Sequence, residues 1–317
     1  MHCDKLLQIK EVQGQDQYGL AVYATWKLSY GQLGLSARTM LQVFSMLHHE
    51  GIMEDIFEKA SLSQKQLEDF SLQIEVTELL THLGKQDSTW NSLVFQKVIG
   101  EIRSYSLLEF DSQNQSYSMH PLVQQWSASE LGKDKYNMQK CILSIIGLSI
   151  SWEFGSEDYK YRHRLQHIIS SRNALQLEDI GLLVAKNIAL VYTEQGLWKE
   201  AETLQVVVME NRKCLLGEEH LDTLITMGNL ASTYWNQGKW KEAEALDMMV
   251  MEKSKHLLGE EHPDTLTSMG NLASTYRNQG KWKEAEALEI VVMEKRKHLL
   301  GEEHSDTLTS MGNLASV

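Results

Sequence analysis

Between residues 217 and 300 the order of apolar and polar positions repeats. Leu224, Met227, Leu230, Ala231 and Tyr234 recur at three- and four-residue steps, the spacing of one helical face. Gly238 follows, and Ala243, Leu246, Val250 and Leu257 then mark a second helix with Lys and Glu interleaved. Gly196, Gly238 and Gly280 stand where a helix needs a residue tolerant of the left-handed conformation to turn back. The stretch Glu260-Glu261-His262-Pro263-Asp264 restarts the pattern, and proline is tolerated there because the first helical turn does not need its N–H.

Aligned letter by letter, residues 217–258 and 259–300 share 34 of 42 positions and differ at 8. A weaker copy precedes them, with Asn187-Ile188-Ala189-Leu190-Val191-Tyr192 ahead of Gly196-Leu197-Trp198. A fourth begins at Gly301 and reaches Val317. One helix pair cannot bury its apolar stripe alone, so the pattern predicts an α-solenoid of stacked pairs. Trp198, Trp240 and Trp282 are expected to pack between helices. The last apolar stripe, Met311 to Ala315, lacks a covering second helix, so the array is expected to be either truncated or completed by self-association through this open repeat.

The first 180 residues carry no repeat. A helical region opens at Thr25-Trp26-Lys27-Leu28-Ser29-Tyr30 and runs through Ala37–Leu47 to Gly51-Ile52. Val94, Val98 and Ile102 mark an amphipathic helix, followed by strand-like runs Tyr105–Phe110 and Ser116–His120 around the turn residues Asp111–Gln115. A further helix starts at Leu122, and helix, hairpin, helix is the outline of a winged-helix domain. The runs Met138–Trp152 and Tyr159–Asn173, flanking Glu153-Phe154-Gly155, read as an irregular hairpin capping the solenoid. The expected organisation is a leader at 1–17, a helical and winged-helix region at 18–131, the capping hairpin at 132–180 and the repeats at 181–317. The fold class is mainly α: a winged-helix-like domain with a small β-hairpin, then the α-solenoid.

Composition narrows the function. Only 2 of 317 residues are proline, against roughly 16 at ordinary usage, as a mostly helical chain requires. The net charge of −13 has the wrong sign for a protein that coats phosphates or acidic membranes, so neither nucleic acid nor a membrane is expected as partner. Asp111–Gln115, the would-be wing, contains no Lys or Arg. Cys3, Cys141 and Cys214 are odd in number and far apart, which points to a reducing, cytoplasmic setting. The first residues lack the layout of a secretory signal. No nucleophile elbow, zinc-protease motif, phosphate loop or dinucleotide fingerprint occurs, so neither enzyme activity nor a cofactor or metal is expected. The Glu-Glu-His triplets ending at His220, His262 and His304 lie one repeat apart, which places them in solvated loops and not at one ion.

Gly238-Lys239-Trp240-Lys241-Glu242-Ala243, with Asn229-Leu230-Ala231 and Tyr234 upstream, resembles the tetratricopeptide repeat. The 42-residue unit and Leu258-Gly259-Glu260-Glu261-His262-Pro263-Asp264-Thr265 are similar to its kinesin-light-chain variety. The resemblance implies a scaffold that binds a protein or peptide on its concave face, with Asn187, Asn229, Asn271 and Asn313 gripping the ligand backbone. Ser232, Ser274, Asn236 and Asn278 fall on the same helical face, and Lys186 matches the lysine that precedes such an asparagine in modules that clamp a carboxylate. The same asparagines read equally well as copied bridges between neighbouring helices. Trp235 and its counterpart Arg277 differ between copies at a groove position, where repeat proteins encode specificity.

The segments Thr25–Tyr30, Leu41–Ile52 and Tyr117-Ser118-Met119-His120-Pro121-Leu122 resemble the distal half of the NB-ARC region in fungal NOD-like receptors. That resemblance implies a degenerate nucleotide-sensor motif at Met119 and His120, with Pro121 in place of the family's aspartate. It also implies an alternative role as the regulatory part of a STAND-type ATPase whose nucleotide domain is missing. The repeats imply a second alternative, a kinesin-light-chain-like cargo adaptor.

Overall fold

The computed structural model describes residues 15–67, 69–86, 89–150, 159–172 and 180–316, in two compact units that meet in sequence at Val191-Tyr192. Residues 1–14 of the expected leader, and the Glu153-Phe154-Gly155 turn, lie outside the described residues.

In the N-terminal unit the helical region expected from Thr25 to Leu47 is two helices, α1 (Gln15–Gln32) and α2 (Leu35–Met46), broken at Leu33-Gly34. The break is held from a distance: the Gly34 N–H donates to Glu101 Oε1 at 2.5 Å. Helix α2 is the hub, with Ala37, Met40, Leu41, Val43 and Phe44 fully buried. Phe44 stacks on Phe57 of α3 (Asp55–Ser63) with ring centroids 5.9 Å apart. Helices α4 (Phe70–Leu83), α5 (Ser92–Ser104), α6 (Pro121–Glu130) and α7 (Lys135–Leu148) pack around α2.

Two small antiparallel hairpins interrupt the helices. One, absent from the sequence expectation, joins β1 (Lys85–Gln86) to β2 (Thr89–Trp90). The other joins β3 (Glu109–Asp111) to β4 (Ser116–Ser118), with Phe110 opposite Tyr117. Its strands are shorter than expected because Ser106 adopts a left-handed φ of 56° and His120 already caps α6.

Loop 46–52, after α2, is clamped from two sides. From the hairpin side, Ile52 and Tyr117 exchange backbone bonds at 3.0 and 2.7 Å, the Met119 N–H donates to His49 O, and Gln124 Nε2 donates to Leu47 O. From α8 (Tyr159–Arg172), the buried His167 accepts the His48 N–H at Nδ1 and bonds Gly51 O through Nε2, while Ser171 Oγ donates to Met46 O. Pairing these backbone groups offsets the penalty for half-burying the loop. Helix α9 (Leu182–Glu194) comes close to α7: a Cβ on Gly147 would lie 2.6 Å from Val184 Cγ1.

In the C-terminal unit, α10 (Trp198–Leu216), α11 (Leu221–Asn236), α12 (Trp240–Leu258), α13 (Pro263–Asn278), α14 (Trp282–Leu300) and α15 (Ser305–Ala315) each pack chiefly on the next in sequence. This is the expected α-solenoid. At the turns, Gly238 and Gly280 have φ of 74° and 76°, and the Lys239 and Lys281 N–H groups close back on Tyr234 O and Tyr276 O at 2.9 Å. Both prolines begin helices, Pro121 in α6 and Pro263 in α13.

Polar ladders join successive pairs. Lys239 and Gln237 bond Glu202, and Lys281 and Gln279 bond Glu244, one repeat on. Glu218 takes Lys213 from its own pair and Lys253 from the next; Glu260 takes Lys255 and Lys295 likewise. The Lys255 bond, then the Lys295 bond, holds Glu260 down at about 2.

Two packing expectations differ from the structure. Leu257 is 41% exposed because it lies in the last turn of α12, next to the closing Gly259. Trp240 and Trp282 are 39% and 52% exposed, because they occupy the first turn of their helices, beside the glycine corner, with Trp282 Nε1 3.9 Å from a Cβ on Gly280.

Candidate functional site

The first helices α11, α13 and α15 carry the residues singled out from sequence. The side-chain amides of Asn229 and Asn271 make no hydrogen bond among the described residues, and Asn271 is exposed. Asn313 bonds Glu289. Asn236 and Asn278 turn back on their own helices and donate to Ser232 O and Ser274 O at 2.8 and 2.9 Å. The Ser232 side chain is exposed and that of Ser274 half-buried. Arg277 donates to Ser316 Oγ at 2.6 Å, whereas Trp235 Nε1 is sealed from solvent without a partner.

Lys186 and Asn187 belong to the N-terminal unit. Asn187 Nδ2 donates to Gly147 O at 3.0 Å and Ile150 O at 3.4 Å, so its amide fastens the end of α7. Of the two readings of these asparagines, the helix bridge describes this one.

Three polar side chains that sequence reasoning passed over lie beneath this face. Gln205, Asp247 and Glu289 are equivalent positions of successive second helices, and each is at least 95% buried. Gln205 Nε2 donates to Thr193 Oγ1 at 3.3 Å, and Asp247 Oδ2 accepts the Thr275 hydroxyl at 2.7 Å. Burial pushes the Asp247 carboxyl up to about 6, with the Thr275 bond opposing. Burial also raises Glu289, against Arg277, Arg296 and Asn313, and its Oε2 has no hydrogen-bond partner. Their signal was present: Ala243, Asp247, Val250 and Ser254 follow the i, i+4, i+7, i+11 order of one buried stripe.

The Glu-Glu-His histidines are not merely solvated. His220, His262 and His304 each accept, at Nδ1, the N–H of the second helical residue, Asp222, Asp264 and Asp306, at 3.2 Å. His120 does the same for Leu122, so the histidine of the degenerate nucleotide-sensor motif is an exposed ring capping α6, beside a buried Met119. Such a cap satisfies one of the free amides at a helix start.

Other chemistry is sparse. Burial, then the Glu75 charge, pushes the Cys141 thiol up to about 12, which keeps it protonated and unreactive. Among the described residues no three His, Cys, Asp or Glu side chains come together to hold a metal, and no helix is long and apolar enough to cross a membrane.

The tetratricopeptide repeat family model matches residues 181–252 and 229–290. Residues 181–290 are tetratricopeptide repeats. A second model, a domain of unknown function (DUF7779), matches residues 28–136. No curated protein matched the chain. Among solved structures, the chain is similar to a kinesin-light-chain candidate from Podosopora anserina with nearly identical TPR-like repeats, at 23% identity and TM-score 0.42, covering 60% of this chain and 80% of that one. It is similar to BtubC (BKLC) from P. vanneervenii at 16% identity and TM-score 0.42, covering 60% and 76%. Similarity to a STAND protein with a tetratricopeptide repeat sensor from Pyrococcus horikoshii spans 98% of this chain and 50% of that one, at 11% identity and TM-score 0.32.

Proposed function

We propose that the tetratricopeptide array is a non-enzymatic, cytoplasmic scaffold that binds a peptide or protein partner across its first helices. The observation that carries this reading is the pair of free amides at Asn229 and Asn271, equivalent positions on successive helices. An amide offers a donor and an acceptor together, which matches a peptide group without demanding a particular side chain. Selection of peptides from a random displayed library on the full chain tests this. The selected peptides should bind Asn229→Ala/Asn271→Ala about tenfold or more weakly, as two lost backbone bonds imply. Equal binding to both forms refutes the grip.

We further infer that the N-terminal unit is the regulatory portion of an NB-ARC–tetratricopeptide receptor of fungal NOD-like type. Its support is the order α5, β3, β4, α6, with Met119 buried and His120 exposed at the hairpin-to-helix corner. Because the sequence holds no phosphate-binding loop, the chain as given is expected to bind no ATP; saturable micromolar ATP binding lost in His120→Ala would reverse this. A cargo-adaptor role of the kinesin-light-chain kind would appear instead as co-sedimentation with a kinesin heavy chain.

A further inference from the structure

Helix α8 is fastened to loop 46–52 through a histidine that can do so in one protonation state only. His167 is fully buried. Its Nδ1 accepts the His48 N–H at 3.1 Å, so that nitrogen carries no proton; its Nε2 lies 3.1 Å from Gly51 O, an acceptor that calls for the proton there. The two partners together fix the neutral Nε2–H tautomer. A proton added at Nδ1 sets one N–H against another, and the His48 amide loses its acceptor.

The charges around the ring oppose that proton. On α8 itself Arg164 stands one turn back, 2% exposed, and pairs with Asp55 of α3 at 2.9 Å. Asp55 is shared with Lys59 at 3.5 Å. From the loop come His48, its ring centre 6.4 Å from that of His167, and His49, 4.4 Å from His48. Glu50, the acid of this loop, is exposed and lies 3.7 Å from His49 Nε2. On α7, which also packs on α8, Lys140 pairs with Asp69 and Cys141 bonds Glu75. A protonated His167 would therefore stand with Arg164 as a second buried cation.

The loop's other clamp does not depend on this proton. Its bonds among Ile52, Tyr117, His49 O, Met119, Leu47 O and Gln124 run through backbone and amide groups, with no imidazole taking part. Acid thus acts on one side of the loop: the hub α2 keeps its hairpin-side bonds while α8 loses its own. What is left to α8 is the Ser171 bond to Met46 O and the Arg164–Asp55 pair.

We propose that His167 is a pH-sensitive latch, whose protonation as pH falls from 7.5 to 5.5 frees α8 from loop 46–52 and leaves the rest of the N-terminal unit folded. The helix so freed precedes the tetratricopeptide repeats in sequence, which puts a proton-dependent joint ahead of the binding array. The latch is independent of what the array binds. The open form binds a proton that the closed form excludes, so the hold is complete above the ordinary imidazole value of about 6.5 and weakens as pH falls below it. One proton makes the open form about tenfold more favoured at pH 5.5 than at 7.5.

Hydrogen exchange of the full chain at the two pH values, corrected for the intrinsic effect of pH on exchange, tests this. Amides of α8 and the His48 amide should lose about tenfold protection at pH 5.5, while α2 and α5 keep theirs. Nitrogen chemical shifts of the His167 ring should report the Nε2–H tautomer at pH 7.5. His167→Gln carries one acceptor and one donor and does not titrate, so its α8 protection should be the same at both values. His49→Gln removes a neighbouring imidazole but not the latch, and should open as the wild type does. Protection of α8 that is unchanged in the wild type, a pH-dependent opening that persists in His167→Gln, or one abolished by His49→Gln overturns the proposal. So does the opposite tautomer, or a loss of protection shared equally by α2 and α5, which is ordinary acid unfolding of the whole unit.

Discussion

Loop 46–52 of the N-terminal unit takes its hydrogen bonds from Tyr117, Met119, Gln124, His167 and Ser171, residues 65 to 125 positions away. In the array the ladder bonds between helix pairs join residues 35 to 39 apart, such as Lys239 to Glu202 and Gln279 to Trp240, and then recur, while Thr275 reaches Asp247 only 28 positions away. The first unit closes around one hub helix and one loop, so few of its parts have anywhere to pack if another is lost. The second is a sum of similar junctions, in which stability is a matter of nearest neighbours. The difference teaches where a substitution will be felt: throughout the first unit, but within a repeat or two of its origin in the second.

The largest effect should come from Phe44→Ala in α2, where the ring stacks on Phe57 and also meets Tyr117 at 6.3 Å. Removing a fully buried aromatic costs about 3–5 kcal/mol, and hydrogen exchange should rise across the whole N-terminal unit as one cooperative step. Leu230→Ala in α11, about 2–5 kcal/mol by the same rule, should raise exchange in α11 and its neighbours α10 and α12, with α14 and α15 affected least. Uniform loss of protection along the array would end the contrast.

The same contrast explains what the sequence made legible. The array could be read almost to the residue because every helix carries its own stripe, corner glycine and restart, three times over. The helices at Thr25–Leu47, around Val94–Ile102 and from Leu122 were legible, but α3 and α4 were not expected, nor was the division at Gly34: it is held by Glu101, 67 positions away, which no local pattern reports. The β1–β2 hairpin has only two residues per strand, too few for an alternation to show. At the candidate site the asparagine positions followed from the repeat, whereas Asp247 and Glu289 were hidden by their type. A charged residue among Glu-Ala-Glu neighbours looks solvated, and only its place on the Ala243–Val250 stripe marks it as buried. The histidine caps were missed because imidazole stands outside the usual capping set of Ser, Thr, Asp and Asn.

A smaller effect concerns Asp247. Its folded carboxyl lies near 6, above the ordinary value near 3.9 of an unfolded chain. The folded state therefore binds this proton more tightly. The resulting stabilisation is full below the unfolded value and is lost as pH rises through about 6. Asp247→Asn, which leaves an uncharged acceptor for Thr275, should melt above the wild type at pH 7.5, and the gap should close as pH falls toward 4. Comparing the two proteins at each pH cancels the other carboxylates and histidines. A gap that stays constant across this window would mean that the acid is not strained by burial. The change should be read in the array and leave N-terminal exchange unmoved.

The smallest effect should come from the caps, and it probes how local a junction is. His262 accepts the Asp264 N–H at 3.2 Å, and Pro263 fixes the first turn of α13 whether or not the ring is present. His262→Ala should cost up to about 1 kcal/mol, the ordinary value of a lost cap. His262→Asn should restore it, because asparagine reaches the same amide with a shorter side chain. Exchange at the Asp264 amide should rise in the alanine variant and return in the asparagine variant, while amides of α11 stay unchanged. The matching change at His120 offers the opposite outcome. There the capped helix α6 packs on the hub α2 through Ser127, whose Oγ donates to Leu41 O at 3.3 Å. His120→Ala should therefore loosen amides in α2 as well as at Leu122, a spread that a cap inside the array does not produce.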